Sequence, residues 1–337
     1  MQSKKAFLLI AGILFLVFSL GIEVRAEPFR VAVILPSTIG DLAFSQSMYD
    51  SLVAVQKEMG PKNFQFSYSE KLYVLADAGV ALRDYATKGY DLVIAHGAQY
   101  GSVLAEIAPD FPKVSFAWGN SRDNFSSKGV KNVFAFEIHA EQGGYLNGVL
   151  AAKITRKGII GVIGPMNAGD CKMYVSGFKA GVLATNPKAT VNITWTGSFS
   201  DIALASEAAQ THINAGADIL TGAAQIQAGA VGVARQRGVY WLASQADQTS
   251  LAPEIVVASA IYEWRPLLRT LVKEIKGGTR GEKVFTLDYS NDSIRMIING
   301  SVLEKALRGK AEKGTEEALL GKTEKDMKEG KIKINIE

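Results

Sequence analysis

Polar and aromatic side chains follow several short apolar runs of this sequence. The run FRVAVI is followed by Ser37, Thr38 and Asp41, with Phe44 one helical turn later. Comparable positions after later runs hold Tyr100, Trp118, Asn120, Asn167, Phe199, Gly222 and Gln245. The set is rich in amide, aromatic and small side chains and contains no Lys or Arg. Because aromatic rings stack on flat faces while amides and a carboxylate bind an edge, we expect a neutral, flat, hydrogen-bonding ligand.

Some of these residues have ordinary structural roles as alternatives. Asp41 and Asp201 are each placed to cap the helix that follows. Phe44 is spaced with Met48 as on a buried helix face, so its ring fits a core as well as a ligand. Trp118 is also a candidate core residue. The pattern alone therefore leaves both interpretations open.

Other chemistries have little support in the sequence. His96, His139 and His212 lie far apart and lack the spacing of metal ligands. No G-x-S-x-G nucleophile motif, G-x-G-x-x-G motif or P-loop lysine is present. We therefore predict a binding protein with no metal, no cofactor and no catalytic residues.

The first 26 residues have the pattern of a cleavable secretory signal. Lys4 and Lys5 precede an apolar run from Ala6 to Ile22, and the segment ends at the small residue Ala26. An uncleaved anchor is the alternative, because the run is nearly long enough to span a bilayer. No cysteine adjoins the cleavage site, so we do not expect a lipoprotein. These features predict a periplasmic protein.

Charge and cysteine content restrict the partners. Residues 1–26 contain three basic residues and one acidic residue, so their removal lowers the net charge from +4 to +2. That balance does not favour nucleic acid or an anionic membrane surface. Cys171 is the single cysteine, which excludes an internal disulfide, and we expect it to be a small packed residue. A monomer is expected.

Apolar β-branched runs alternate with helical patterns along the chain, and a helix is predicted from about Asp41 to Met59. Short strands that are apolar on both faces are typical of parallel sheets covered by helices. The 311 residues after the signal exceed what one core usually supports, so we expect two α/β lobes. We assign residues 27–137 and about 258–290 to the N-terminal lobe, and residues 138–257 and about 291–337 to the C-terminal lobe. EKVFTLDY and SIRMIING resemble a strand pair. Open α/β sheets bind ligands beyond the carboxyl ends of their strands, which predicts a cleft between the lobes.

The run VAVILPSTIGDLAFSQSMYDSL resembles the opening of the basic membrane protein (BMP, PnrA-like) family of ABC-transporter substrate-binding proteins, which usually reads like G-I-D-D-K-S-F-N-Q. The similarity continues in order through HAEQGGYLNGVLAAKITRKGIIGVIGPM, GFKAGVLATNP, TGSFSD, GADILTGAA and ADQTSLAPEIVVAS. It covers nearly all of the chain after residue 26. The resemblance implies a periplasmic-binding-protein fold of type I, with two lobes joined by three crossovers that close on a purine nucleoside. It also implies an ABC permease as partner.

The resemblance implies roles for individual residues. In nucleoside-binding members two Phe rings sandwich the base, while acidic residues and a Lys hold the ribose. Asp41 matches the second Asp of the opening motif, Phe44 matches its Phe, and Phe199 matches the second stacking ring.

The ribose-facing positions depart from the family pattern. Gln245 stands where the family has Asp, Tyr262 where it tends to have Lys, and Asn120 where an Asp closes the F-V-I-I-D run. In the opening motif, Gly40 and Ser45 replace an Asp and an Asn. An amide replaces acceptors that a carboxylate would offer to ribose, and each unpaired hydroxyl would cost on the order of 1–3 kcal/mol.

We therefore predict a receptor for a free purine base, adenine first. Asp41 and Asn120 are expected to bind the purine edge, and Phe44 with Phe199 or Trp118 to stack on its faces. A purine nucleoside held in an altered ribose pocket is the alternative ligand, and a ligand sensor for a membrane signalling protein is the alternative role. A nucleoside hydrolase would need a paired carboxylate or metal cluster, which the sequence does not offer.

Overall fold

The protein forms two six-stranded sheets flanked by helices. The computed structural model describes residues 27–308 and 316–336. The predicted signal peptide, residues 1–26, lies outside them. Within the described parts of the chain, no helix is both long and apolar enough to cross a membrane.

The first sheet is entirely parallel and belongs to the N-terminal lobe. Its strands lie in the order β11 (Val284–Leu287), β5 (Val133–Ile138), β4 (Ser115–Gly119), β3 (Leu92–Ala95), β1 (Phe29–Ile34) and β2 (Phe64–Ser69). Helices α1 (Phe44–Met59) and α8 (Arg265–Lys276) cover one face, and helices α2 (Leu75–Thr87) and α3 (Gly101–Ile107) cover the other. The central strand residues are fully buried, as expected for a sheet covered on both sides.

The second sheet repeats this plan in the C-terminal lobe. Its order is β12 (Ile294–Ile298), β10 (Val256–Tyr262), β9 (Tyr240–Gln245), β8 (Ile219–Gly222), β6 (Ile159–Gly164) and β7 (Thr190–Trp195). Only β12 runs antiparallel to its neighbour. Helices α4 (Ala140–Ile154) and α5 (Gly169–Thr185) pack on one face, and α6 (Ile202–Asn214) and α7 (Gln227–Arg237) on the other. Helices α9 (Gly300–Leu307) and α10 (Glu316–Lys328) pack against α4. The predicted α/β class with two doubly wound lobes is confirmed.

The chain crosses between the sheets three times. It leaves the first sheet after β5, returns to the first lobe after β10, and crosses back between β11 and β12. Because β10 pairs with β9 and β12, the return falls after Tyr262 rather than at about residue 258. The two late strands also do not form a pair: β11 extends the first sheet beside β5, and β12 pairs with β10. Alternating hydrophobicity identified both strands but carries no information on which sheet edge each one joins.

Glycines bring α4 and α5 into close contact. A Cβ at Gly144 would lie 2.1 Å from the carbonyl oxygen of Tyr174, and a Cβ at Gly148 would lie 2.2 Å from that of Phe178. From the opposite helix, a Cβ at Gly177 would lie 2.0 Å from the carbonyl oxygen of Glu141. No other residue fits at so short a distance. The glycines of the run EQGGYLNGVLAA therefore allow α4 to pack closely against α5. Helix α5 begins at the cleft between the lobes.

Candidate functional site

A cavity of about 230 Å³ lies between the lobes at the carboxyl ends of the strands. Residues of both lobes line it: Pro36, Phe44, Tyr73, Gly97, Ala98, Gln99 and Asn120 from the first, and Ala168, Gly169, Asp170, Cys171, Phe199, Ala224, Gln225 and Gln245 from the second. The position follows from the fold, because parallel strands direct their carboxyl ends toward the cleft. Among these lining residues Asp170 is the only one with a charged side chain, so the cavity suits a neutral ligand.

Phe44 forms an aromatic wall that is supported from behind. Its ring stacks on His96 with centroids 3.9 Å apart and planes 8° apart, and Trp264 meets it edge-on at 5.9 Å. His96 Nε2 donates to the Phe44 carbonyl oxygen at 3.2 Å. Burial lowers the pKa of His96 to about 3, so the ring stays neutral. One face of Phe44 is therefore occupied by His96, and a single face is left for a flat ligand.

Phe199 and Tyr73 face each other across the cleft. Their ring centroids are 6.3 Å apart at an angle of 43°. Tyr73 belongs to the first lobe and Phe199 to the second, and both also line a wider outer cavity of about 640 Å³. Together they separate the inner cavity from the outer one.

The carboxylate of Asp170 joins three side chains from three different segments. Asn120 Nδ2 donates to Oδ1 at 3.1 Å, Gln245 Nε2 donates to Oδ2 at 3.0 Å, and the Tyr262 hydroxyl donates to Oδ2 at 3.2 Å. Burial raises the pKa of Asp170, and the hydrogen bonds from Gln245 and Tyr262 oppose that rise. Three of the five positions at which the sequence departs from the family pattern thus meet at one carboxyl group.

The same arrangement leaves two acceptors without partners. Asn120 Oδ1 and Gln245 Oε1 are buried and accept no hydrogen bond from the protein. Leaving a buried acceptor unpaired costs about 1–3 kcal/mol, so a ligand or water that donated to these atoms would stabilise the site. Both residues line the cavity.

Backbone conformation at the cavity is also unusual. Asn120, Ala224 and Gln245 have φ angles of 55°, 63° and 71°. Asn tolerates this left-handed region, whereas Ala and Gln adopt it at a cost of roughly 1–3 kcal/mol. Such conformations concentrate at ligand-binding sites, where they direct side chains that regular structure would not.

The Asp41 carboxylate caps the start of the helix that follows it. Its Oδ1 accepts the backbone N–H groups of Ala43 and Gln46, and its Oδ2 accepts that of Ser45, at 2.9 to 3.2 Å. It does not line the inner cavity. The capping alternative therefore describes this residue, because α1 begins only at Phe44 and its first N–H groups need acceptors.

Trp118 and Tyr100 also lie away from the cavity, within the first lobe. Trp118 stacks on Phe125 with centroids 5.0 Å apart, and its Nε1 donates to the Gly97 carbonyl oxygen at 3.1 Å. The Tyr100 hydroxyl donates to the Leu72 carbonyl oxygen at 2.9 Å. Trp118 thereby holds Gly97, which lines the cavity, and neither Trp118 nor Tyr100 lines the cavity itself.

The remaining predicted residues surround the site. Tyr262 lies behind Asp170, and Ser37 lines the outer cavity. Thr38 lines neither cavity. Asn167 lines a separate groove beside α5, and Gly222 is buried beside Trp241 and Gln227. Four of the predicted residues therefore meet at the inner cavity: Phe44, Asn120, Phe199 and Gln245.

Sequence reasoning finds Asp170 at the strand end after β6 but not its role in joining Asn120, Gln245 and Tyr262, and it missed Tyr73. Tyr73 lies four residues after the end of β2, and applying the strand-end rule to β2 as well would have found it. Cys171, expected to be a packed residue, is buried and lines the cavity, and burial raises the pKa of its thiol well above the usual value.

Two α/β lobes that enclose a cavity at their strand ends form a bilobal fold with a ligand-binding cleft. The sequence profile described as ABC transporter substrate-binding protein PnrA-like matches residues 29–327. The chain belongs to this family, which confirms the resemblance found in the sequence. Substrate-binding proteins of ABC importers are extracellular or periplasmic and act with a membrane permease.

Curated relatives agree with this assignment. A purine-binding protein of Brucella abortus is 27% identical over 263 residues, which cover 78% of this chain and 73% of that protein. Basic membrane protein B of Borreliella burgdorferi is 24% identical over 245 residues, 72% of each chain.

Solved structures share the fold. A solute-binding protein of Conexibacter woesei has a TM-score of 0.74 at 21% identity and covers 91% of this chain and 98% of its own. A solute-binding protein of Aeropyrum pernix has a TM-score of 0.75 at 20% identity, with 92% and 94% covered. The fold is thus that of the type I periplasmic binding proteins, as predicted.

Proposed function

We propose that this protein is a periplasmic receptor that binds a free purine base, adenine first, in the inner cavity and delivers it to an ABC permease. The observation that carries the proposal is the pair of unpaired acceptors, Asn120 Oδ1 and Gln245 Oε1, on residues lining a cavity walled by Phe44. Adenine offers two kinds of donor, an exocyclic amino group and an imidazole N–H. In adenosine the ribose replaces that N–H.

The size and charge of the cavity support a small neutral ligand. Its volume of about 230 Å³ lies below the range of roughly 300–1,000 Å³ typical of pockets for drug-sized molecules. No Lys or Arg lines it, and its one carboxylate is already bound by three donors. Phosphorylated ligands are therefore disfavoured. The name of the purine-binding relative from Brucella abortus agrees with the ligand class.

Asp170 also supports the base over the nucleoside. Gln245 and Tyr262 stand at positions that the family resemblance assigns to ribose binding, and here both donate to Asp170. A bound ribose would have to displace these hydrogen bonds. Each bond to a charged acceptor contributes about 1.5–3 kcal/mol, so the exchange is unfavourable.

Titration calorimetry with adenine, adenosine, guanine and inosine tests the proposal. We expect adenine to bind at least about tenfold more tightly than adenosine, since the nucleoside leaves one acceptor unpaired. Equal affinities for the two would contradict a base-selective site. 9-Methyladenine distinguishes the loss of the imidazole N–H from the added bulk of the ribose, because it lacks that N–H but adds little bulk. Mass spectrometry of ligand released from the purified protein gives an independent identification.

The proposed role is non-catalytic. Incubation of the protein with adenosine should release no adenine above the rate in buffer alone. Release of the base would instead indicate a nucleoside hydrolase.

A further inference from the structure

One carboxylate fixes the orientation of both amides at the cavity. Asn120 and Gln245 both turn their NH₂ groups toward the Asp170 carboxylate, whose ionised form presents only acceptors. The observed hydrogen bonds, at 3.1 and 3.0 Å, have this arrangement. The amide oxygens are left over and have no protein partner.

The orientation determines what a ligand must offer. Both amides belong to residues that line the cavity, and their two oxygens can be paired only by two donors. A 6-aminopurine offers its amino group, whereas a 6-oxopurine places an acceptor at the same position. An oxygen set against an amide oxygen leaves both unpaired, and sites built on hydrogen bonds reject such analogues strongly.

We propose that Asp170 is a positioning residue that sets the hydrogen-bonding polarity of the site, so that the cavity selects 6-aminopurines over 6-oxopurines. This inference rests on the proposed purine-binding function. Asp170 acts through its neighbours: the selection depends on the amide orientations of Asn120 and Gln245, which the carboxylate holds from behind.

The substitution Asp170→Asn should relax the selection. The new amide would keep the shape of the side chain but would carry one acceptor oxygen and an NH₂ group with two donors. It can then donate to the oxygen of one neighbouring amide, and that amide turns its NH₂ group to the cavity. We expect the ratio of the hypoxanthine to the adenine dissociation constant to fall at least about tenfold relative to wild type.

Asp110→Asn is the matched control, because Asp110 is exposed and pairs with Arg83 far from the cleft. It should leave the ratio unchanged. Circular dichroism and thermal unfolding show whether each variant is folded. An unchanged ratio in folded Asp170→Asn would overturn the inference.

A ligand series on the wild-type protein tests the same point without any variant. Adenine, unsubstituted purine and hypoxanthine should bind in that order, because purine lacks the amino donor without adding bulk and hypoxanthine adds an opposed acceptor. Hypoxanthine binding as tightly as adenine would overturn the inference while leaving purine binding intact. Failure to bind any of the three would instead overturn the proposed function.

Discussion

Asn120 in the first lobe donates a hydrogen bond to Asp170 in the second, with 3.1 Å between Nδ2 and Oδ1. The bond crosses the cleft at the cavity wall. It therefore couples the relative position of the two lobes to the shape of the binding site. Substitution of Asn120 should affect closure and ligand affinity together.

Asn120→Asp should weaken adenine binding more than Asn120→Ala. Alanine removes one donor and one acceptor, and a lost bond to a charged group costs about 1.5–3 kcal/mol. Aspartate would set two carboxylates about 3 Å apart, and like charges at that distance cannot both ionise in a buried site. Calorimetry at several pH values should therefore show the Asn120→Asp affinity recovering as pH falls. An affinity for adenine that is independent of pH in this variant would contradict the interlobe contact.

Phe44→Leu should weaken adenine binding by about 1–3 kcal/mol, the usual contribution of base–aromatic stacking. The ring offers a single face, because His96 covers the other. Phe66→Leu is the matched control, since Phe66 lies on β2 against Tyr49 and outside the cavity. Calorimetry on both variants compares them. A loss for Phe44→Leu no larger than that for the control would remove the stacking role.

The rule that ligands bind beyond the carboxyl ends of parallel strands predicted part of this site but not all of it. It located Phe44, Asn120, Phe199 and Gln245, because the carboxyl ends of parallel strands must face the cleft. The same rule does not specify whether a side chain at a strand end binds the ligand or has a structural role. Asp41 has a carboxylate beside a helix start, and whether that carboxylate caps or binds depends on the backbone N–H groups around it.

The fold was more predictable than the site. Alternating apolar and helical runs define the two sheets, since each strand buries both faces. Strand neighbours depend on the long connections between lobes, which no local pattern encodes. That is why the edges occupied by β11 and β12 were not predicted.

Gly144→Ala should destabilise the protein, although alanine favours a helix by roughly 1 kcal/mol over glycine. The new Cβ would lie 2.1 Å from the Tyr174 carbonyl oxygen, so α4 and α5 would have to separate. Overpacking of this kind typically costs about 1–3 kcal/mol or more. Gly232→Ala in α7 is the control, because no atom beyond its own stretch of helix lies within 4 Å of its Cβ position, and it should stabilise the protein. Chemical unfolding of both variants tests the opposite signs.

His96 should make the protein less stable as the solution is acidified. Burial lowers its pKa from 6.5 to about 3. Between these pH values the imidazole is protonated in the unfolded chain and neutral in the folded chain. The contribution of neutral His96 to the free energy of unfolding is complete above pH 6.5. It is lost as pH falls toward 3, at about 1.4 kcal/mol per pH unit. The difference in free energy of unfolding between wild type and His96→Gln should therefore shrink between about pH 6.5 and 4. A constant difference would contradict a neutral buried His96.

His139 provides the opposite case within the same chain. Its hydrogen bond to Glu141, 2.8 Å from Nδ1 to Oε1, raises its pKa, with smaller contributions from the charges of Glu141 and Glu137. The stabilisation is complete below the unfolded pKa of about 6.5 and is lost as pH rises through the higher folded value. The free energy difference between wild type and His139→Gln should therefore grow on acidification toward about pH 6.5. Chemical unfolding from about pH 8.5 to 4 should show the difference for His139→Gln growing as pH falls to about 6.5 and the difference for His96→Gln shrinking below about pH 6.5. Parallel curves would mean that the imidazole of His139 is not paired with Glu141.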